Sequence, residues 1–466
     1  MSARETPYSF LNSYVRGEVL SGGWGVMNKV FAGANALIII SHLEIFKYGI
    51  YVLIFAFISL ATGLFQKPFA DVVQNDVARF IGAGKEAQAK KLFLENLIVR
   101  VAIALALFLT TFFAASLIAR FYDQDIAILF RILSPIFLID VATTALRTLF
   151  ELRLRFGEPA LRLVVYNVVK LFLILAALMF YRLDVAELLG IYLLAATAAL
   201  VVFIPRFSIL YAPWKNLRAA STPELIPLVL GHGKWRAMSQ GLSSASSNVR
   251  PWLIKFFINT EAVAIYSVAE SIYGALKALF PTSTFVTLIP HEVAGNPARA
   301  VRILIRGTKY LALAGVLLGV AGLIFVPPLV TLIVPKYGAS LPYFMLLLLM
   351  LPIMGVSTIA GAFLFALQKQ RFIFFVSLVR IPLSWAFPVA LLYFFGLWGM
   401  PFERILITLF VGVAYFVYLL RYHVPRESLR LLFVFDATDR ELLKRAYQQL
   451  YHGLVHRLER MPFRLG

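Results

Sequence analysis

Long apolar stretches constrain what this chain can fold into more than any other feature of its sequence. About 20 consecutive apolar residues span the hydrocarbon core of a bilayer as a helix. Twelve such stretches occur, at 19–41, 48–66, 92–119, 125–149, 160–181, 186–211, 233–257, 262–290, 307–334, 338–367, 371–396 and 399–421. They are continuously apolar, which excludes the alternating strands of a membrane barrel. The sequence therefore predicts an all-α polytopic membrane protein with twelve transmembrane helices.

The composition agrees with this class and excludes others. Hydrophobic residues make up 61% of the 466 residues and charged residues 15%, against about 45–50% and about 25% in soluble proteins. The chain has no cysteine, which excludes disulfides and thiolate metal sites. Neither the histidine spacing of zinc proteases nor a phosphate-binding Walker sequence occurs,. We therefore expect no metal, no cofactor and no enzymatic activity.

The net charge of +20 has a different meaning in a membrane protein than in a soluble one. In a soluble chain it would suggest a nucleic-acid partner, whereas the cytoplasmic loops of membrane proteins are enriched in Lys and Arg. With both termini in the cytoplasm, 29 of the 44 Lys and Arg fall on the cytoplasmic side, five on the opposite side and ten inside spans. This distribution predicts cytoplasmic termini, contacts with anionic membrane lipid and no nucleic-acid partner.

An internal repeat divides the twelve spans into two sets of six. Pro135-Ile136 in the fourth span recurs as Pro352-Ile353 in the tenth, 217 residues later. Six spans return the chain to its starting side, and transporters built from such halves hold their substrate between them. We predict an N-terminal lobe (1–215), a C-terminal lobe (216–424), a central cavity between the lobes, and a basic amphipathic cytoplasmic tail (425–466).

Short motifs give the chain a resemblance to a known family. Glu44 followed by Tyr48-Gly49-Ile50-Tyr51 resembles the opening hairpin of the Wzx-type oligosaccharide flippases. The basic stretch around Gly82-Ala-Gly84-Lys85 resembles their first long cytoplasmic loop. Arg155-Phe156-Gly157 and Arg371-Phe372 resemble the segments that precede their fifth and eleventh spans. The resemblance covers about residues 1–422, and it places the chain in the multidrug/oligosaccharidyl-lipid/polysaccharide exporter superfamily.

The resemblance implies a function and a location. Such a protein would move an isoprenoid-pyrophosphate-linked oligosaccharide from the cytoplasmic to the periplasmic leaflet of the bacterial inner membrane, by alternating access, during polysaccharide biosynthesis. Its partners would be the lipid-linked oligosaccharide and membrane proteins of polysaccharide assembly. Twelve spans rather than fourteen argue against the lipid II branch of the superfamily.

The ten Lys and Arg inside spans are the candidate binding residues. A charge at the bilayer centre costs about 2.5–3.5 kcal/mol on insertion scales, so such residues face a cavity or a partner. A net positive cavity would attract a pyrophosphate. The predicted cationic set is Lys29, Arg147, Lys170, Arg250, Lys255, Lys277 and Arg380. The other three, Arg100, Arg131 and Lys309, are expected to extend to the membrane interface.

Polar uncharged residues at helical spacing accompany these cations. They recur at three- and four-residue steps, which places them on common helix faces that should meet a cavity or another helix. The predicted cavity-lining residues are Asn28, Gln240, Ser243, Ser247 and Tyr273. Structural pairing between helices is the alternative for this set.

The deep acids Asp140 and Glu270 have two alternative roles. Either could bind a proton or Na⁺ that drives transport, or could serve as a static counter-ion to a neighbouring cation.

Two other functions remain open at this point. A multidrug extruder of the same architecture would need acidic cavity walls, and the excess of cations argues against it. A membrane polymerase or ligase acting on lipid-linked glycans would carry a large extracytoplasmic loop. All the predicted outer loops are shorter than about a dozen residues.

Overall fold

The computed structural model is helical throughout the part of the chain that it describes. The described residues are 7–120, 126–153, 155, 157–180, 183–229, 234–280, 297–367 and 369–424. The predicted amphipathic tail (425–466) lies outside them. The helical fold predicted from the apolar stretches is confirmed.

The described part of the chain forms eighteen α-helices and two short 3₁₀ turns. The first nine helices are α1 (Pro7–His42), α2 (Ile45–Phe65), α3 (Lys67–Gly82), α4 (Glu86–Phe113), α5 (Ala115–Ala119), α6 (Ala127–Leu133), α7 (Ile136–Leu152), α8 (Gly157–Phe180) and α9 (Val185–Lys215). The others are α10 (Leu225–Leu228), α11 (Lys234–Asn248), α12 (Arg250–Phe257), α13 (Thr260–Lys277), α14 (Pro297–Ile333), α15 (Leu341–Leu348), α16 (Met350–Ala366), α17 (Gln370–Phe395) and α18 (Gly399–Tyr422). The 3₁₀ turns are Pro335–Ser340 and Gly396–Trp398.

Nine segments of the described chain are long and apolar enough to cross a membrane. Eight coincide with single predicted spans. The ninth, Arg371–Tyr422, contains α17 and α18, which correspond to two predicted spans. The predicted span 233–257 corresponds to α11 and α12, of which α11 is polar. The predicted span 262–290 is described only as far as residue 280. The total of twelve spans therefore stays a prediction.

Pro135, Pro251, Pro352 and Pro382 lie inside predicted spans, and the sequence predicts that each kinks or breaks its helix. Three of the four interrupt a helix. The breaks between α6 and α7, between α11 and α12, and between α15 and α16 lie at or just before Pro135, Pro251 and Pro352. Proline removes a backbone donor and disfavours helical geometry in the residue before it. Helix α17 continues through Pro382, where no interruption occurs.

The breaks at Pro135 and Pro352 support the internal repeat. At each proline a helix of seven or eight residues precedes one of 17 residues. The two places therefore share a local structure as well as a sequence.

The described residues group into two compact units. The larger unit consists of the described residues of Met1–Ala275, Pro327–Tyr343 and Ser384–Met400. Its core is formed by α2, α4, α6, α7, α9, α12 and α13, with Phe130 and Phe137 fully buried. A second cluster in the same unit surrounds Trp214, at the end of α9.

The smaller unit consists of the described residues of Leu276–Val326, Phe344–Leu383 and Pro401–Gly466. In this unit α14 packs closely against α16, since a side chain at Gly315 would meet the backbone of Pro352. The division into lobes at residue 215 stays a prediction.

Two glycines let α2 approach its neighbours closely. A β-carbon at Gly49 would overlap the carbonyl oxygen of Thr260, where α13 begins. A β-carbon at Gly63 would overlap the hydroxyl of Ser244 on α11. The two glycines are 14 residues apart, almost four helical turns, and so lie on the same face of α2. This face therefore packs against both later helices.

Replacing Gly49 by Ala should destabilise the protein. The added methyl group meets backbone, which cannot rotate away, and overpacking of this kind costs about 1–3 kcal/mol. We expect a lower midpoint of thermal unfolding for Gly49→Ala in detergent micelles. The matched control is Gly190→Ala on α9, where no atom lies within 4 Å of the added carbon. That change should stabilise its helix slightly, and an equal loss in both variants would contradict the close contact.

Candidate functional site

A buried lysine surrounded by aromatic rings lies within the larger unit. Lys170 on α8 is only 8% exposed. Its ammonium nitrogen lies 5.6 Å from the ring centre of Tyr192 and 6.0 Å from that of Tyr166. Tyr166 precedes Lys170 by four residues and therefore lies on the same helix face. The lysine thus points toward the aromatic side chains of α8 and α9.

These rings belong to a continuous aromatic wall contributed by α2, α8 and α9. Tyr51 and Phe55 on α2 have ring centres 4.7 Å apart, and Phe55 meets Tyr192 edge-on at 4.7 Å. Tyr192 also meets Tyr166 edge-on, at 5.7 Å. Contacts of this geometry hold aromatic rings in fixed orientations. We call Lys170 with Tyr51, Tyr166 and Tyr192 the Lys170 site.

A chain of asparagines joins α1 to α8 beside the lysine. The side-chain nitrogen of Asn167 donates to Asn28 at 2.7 Å, and that of Asn35 donates to the backbone oxygen of Asn167 at 2.9 Å. Asn167 lies three residues before Lys170, on the same side of α8. The side-chain oxygen of Asn35 is buried and has no donor among the described residues. The site therefore has an unfilled polar acceptor as well as a cation.

The charge of Lys170 is not balanced by a carboxylate in the described part of the chain. The ion pairs formed there do not include this lysine. Cation–π contacts contribute about 0.5–2 kcal/mol, while a cation at membrane depth costs about 2.5–3.5 kcal/mol. A buried ammonium balanced only by rings has a strong attraction for an anion.

Asp140, one of the two deep acids, has several cations within electrostatic range. Asp140 on α7 interacts electrostatically with Arg100, Lys67 and Arg162. Arg162 in turn lies near Arg147, which is 62% exposed and pairs with Glu151 at 2.7 Å. Three cations around one carboxylate leave this part of the unit with an excess of positive charge.

The other predicted cations differ in their exposure. Lys29 and Lys277 are exposed, while Arg250, Lys255 and Arg380 are partly buried. Lys255 lies 5.4 Å from the ring centre of Phe256. Of the predicted set, only Lys170 is counted among the buried charged residues of the described chain.

The expectation that three cations extend to the interface is wrong for two of them. Arg100 is 3% exposed and Lys309 is 7% exposed, so neighbouring helices cover both side chains. Arg131 is exposed and donates to the Ser116 hydroxyl at 3.1 Å. Sequence position near a span end indicated the depth of these residues but not their helix face.

The predicted polar residues and the second acid are distributed as follows. Asn28 belongs to the asparagine chain, whereas Tyr273 is buried on α13 and Glu270 is partly buried on the same helix. Ser247 is exposed and donates to the backbone oxygen of Ser243 at 3.1 Å. The side chain of Gln240 lies outside the described residues.

Sequence reasoning missed four residues of this region, namely Tyr51, Tyr166, Tyr192 and Asn167. Tyr166 and Asn167 precede Lys170 by four and three residues, which is a signal that helical spacing could have provided. No local signal connects Tyr51 or Tyr192 to the lysine, because each lies on a different helix.

A second lysine forms an unusual contact at the end of α1. The Lys336 ammonium donates to the backbone oxygens of Ser41 and Leu43 at 2.7 and 2.6 Å. It also lies 5.7 Å from the ring centre of Tyr337, which in turn meets Tyr48 edge-on at 5.9 Å. The last carbonyls of a helix lack partners within the helix, and a cation there is favourable. We call this contact the Lys336 clamp.

The clamp lies within the larger unit and joins segments that the sequence assigns to different lobes. Ser41 ends the first predicted span and Leu43 follows it, whereas Lys336 follows the ninth. The positive-inside distribution predicts that both segments lie on the extracytoplasmic side.

Comparison with known proteins gives a family and a fold. The family model described as polysaccharide biosynthesis protein matches residues 35–291, more than half of the 466 residues. By sequence, no curated protein matches the chain at a significant level.

Solved transporter structures match almost the whole chain. An inward-facing multidrug resistance MATE family transporter of the MOP superfamily matches 89% of this chain and 99% of its own, with a TM-score of 0.67 and 13% identity. The lipid II flippase MurJ, in an inward closed conformation, matches 90% of both chains with a TM-score of 0.65 and 12% identity. A MATE transporter of Vibrio cholerae matches 92% of this chain and 99% of its own, with a TM-score of 0.56 and 17% identity. At these identities the likeness shows a shared two-lobed fold.

Proposed function

The chain belongs to the polysaccharide biosynthesis protein family, and from that premise we propose that it moves a lipid-linked oligosaccharide across the membrane. The substrate would be an oligosaccharide on an isoprenoid pyrophosphate, carried from the cytoplasmic to the periplasmic leaflet of a bacterial inner membrane. The family and the fold support a transporter of the MOP superfamily. Both termini would lie in the cytoplasm.

The observation that carries the proposal is the unbalanced cation of the Lys170 site. A pyrophosphate supplies the anion that a buried ammonium attracts, and it forms charge-assisted hydrogen bonds with it. The tyrosine rings provide stacking faces for sugars. The apolar chain of the lipid would remain in the bilayer while the head group crosses.

The Lys336 clamp supports alternating access in this proposal. By fastening the end of α1 to a segment of the other predicted lobe, it would hold the extracytoplasmic end of the protein closed while the head group enters from the cytoplasm. Release of the clamp would then accompany opening to the other side. A ligand shifts such an equilibrium only by its differential affinity for the two states.

The electrostatic interactions of Asp140 with Arg100, Lys67 and Arg162 support a counter-ion role for that residue. Asp140 and Glu270 both remain candidates for binding a coupling H⁺ or Na⁺ in this proposal.

Transport in reconstituted vesicles tests the proposal. The full-length protein is purified and placed in phospholipid vesicles that contain a fluorescent oligosaccharide on an isoprenoid pyrophosphate. An impermeant quencher then measures the appearance of this glycolipid at the opposite leaflet. We expect movement faster than in protein-free vesicles. A glycolipid with an uncharged linkage in place of the pyrophosphate should move at a rate at least about tenfold lower than the pyrophosphate-linked one. The reason is that one charged hydrogen bond contributes about 1.5–3 kcal/mol.

The fold shared with MATE transporters makes a multidrug extruder the second candidate. The same vesicles loaded with ethidium, a cationic drug-like dye, distinguish the two. Movement of ethidium without movement of the glycolipid would overturn the proposal in favour of drug export. Equal movement of the charged and uncharged glycolipids would contradict the role of the cation.

A further inference from the structure

An apolar groove of about 490 Å³ lies between α4, α7 and α9 in the larger unit. Three small residues, Ala104, Ala142 and Ala145, contribute to its wall. The remaining lining residues are also apolar: Leu97, Val101, Leu138, Val141, Leu146, Leu200, Ile204 and Phe207. We call this feature the α4–α7–α9 groove.

The groove lies at membrane depth, because its lining residues fall inside three of the candidate spans. Val101, Leu138 and Ile204 are exposed along it, so it opens to the surroundings of the helices. In a bilayer those surroundings are hydrocarbon chains, and a concave apolar cleft would accept one of them. Along the candidate spans Glu86–Phe113, Ala127–Leu152 and Val185–Lys215, the lining residues lie in the half nearer the predicted cytoplasmic end or close to the middle.

A cation lies in line with the groove toward that end. Lys90 precedes Leu97 by seven residues, so it lies on the same face of α4, about 10 Å further along the helix. Its ammonium donates to the backbone oxygens of Trp214 and Leu217 at 2.6 and 2.8 Å, and lies 5.6 Å from the Tyr211 ring centre. These carbonyls fix the lysine without neutralising it, since no ion pair in the described chain includes Lys90.

The groove and the charged residues of α7 lie on opposite faces of that helix. Asp140 and Arg147 are placed by helical spacing on the side away from Leu138, Val141 and Ala145. The groove and the Lys170 site are therefore distinct features of the same unit.

We propose that the α4–α7–α9 groove binds the isoprenoid chain of the lipid-linked substrate in the cytoplasmic leaflet, with the pyrophosphate beside Lys90. The inference rests on the proposed function and assigns to its substrate a position where loading begins. An apolar cleft in line with a fixed cation is complementary to a lipid that combines an apolar chain with an anionic head group. A single narrow groove suits a lipid with one chain, whereas a phospholipid would leave its second chain outside.

Photochemical labelling tests this inference by binding, without transport. The full-length protein in phosphatidylcholine nanodiscs is mixed with geranylgeranyl pyrophosphate that carries a benzophenone at the far end of the chain. After irradiation, labelled peptides are identified by mass spectrometry. We expect labels in 97–104, 138–146 and 200–207, the segments that line the groove.

Two variants and a matched control define the occupant. Ala142→Trp fills the groove and should reduce labelling about tenfold, equivalent to about 1.4 kcal/mol of binding. Ala102→Trp adds the same side chain on another face of α4 and should leave labelling unchanged. Lys90→Met should weaken labelling by the pyrophosphate probe but not by the corresponding uncharged alcohol.

Three results would overturn the inference: unchanged labelling of Ala142→Trp, labels confined to other segments, or displacement of the probe by an equal amount of phosphatidylglycerol. The last would show an ordinary phospholipid in the groove. Transport in vesicles without groove labelling would contradict the role of the groove but not the proposed function. Groove labelling without transport would instead contradict the proposed function, and the groove would remain an isoprenoid-binding site.

Discussion

Replacing Lys170 by Met is expected to abolish most transport of the pyrophosphate-linked glycolipid without unfolding the protein. The side chain is buried, and within the described part of the chain its charge is balanced by tyrosine rings and not by a carboxylate. Loss of its charged hydrogen bonds to a phosphate group should cost about 1.5–3 kcal/mol, which lowers the transport rate about 10- to 150-fold. The rate is measured in the vesicle assay described above.

Stability should change in the opposite direction, which separates a binding role from a structural one. Removing an unbalanced buried charge relieves a desolvation cost. The thermal midpoint of Lys170→Met should therefore be unchanged or higher than that of the parent protein. Lys170→Arg keeps the charge and should retain part of the transport.

The matched control for Lys170 is an exposed intramembrane cation. Arg131→Met removes an exposed charge that, among the described residues, donates to the Ser116 hydroxyl, and it should leave transport near the parent rate. A loss of transport accompanied by an equal loss of stability in Lys170→Met would contradict the anion-binding role. So would full transport in that variant.

The second large effect is expected at the Lys336 clamp. Lys336→Met removes two short hydrogen bonds to the end of α1, each worth about 0.5–1.5 kcal/mol. The extracytoplasmic end should then open more often. Because the chain has no cysteine, one introduced cysteine reports this opening without interference.

Ser340→Cys provides the reporter, since Ser340 is fully buried close to the clamp. Its reaction with a membrane-impermeant maleimide added to whole cells should be about tenfold faster in the Lys336→Met background, because about 1.4 kcal/mol changes an equilibrium tenfold. Lys47→Met is the control. It removes an exposed cation paired with Asp184 at 3.4 Å, at the same predicted end of the protein. Equal acceleration in both backgrounds would contradict the clamp.

The sequence correctly predicted the class of this protein and much of its local structure. A helix in a bilayer needs only about 20 apolar residues in a row, and that property is readable without any tertiary contact. The helix breaks at Pro135 and Pro352 were predicted for an equally local reason, since proline lacks the backbone donor that a helix requires. Family membership followed from short motifs and was confirmed by the family model.

Tertiary structure decided which side chains form a site. Lys29 and Lys170 both lie in apolar stretches, yet one is exposed and the other is enclosed by rings from α8 and α9. A span that is apolar on every side gives no indication of which face meets lipid and which meets another helix. Lys336, whose sequence position indicated only a short loop, clamps the end of α1 through carbonyl oxygens 293 and 295 residues away. Burial and backbone acceptors are properties of packed helices, and only packing could decide them.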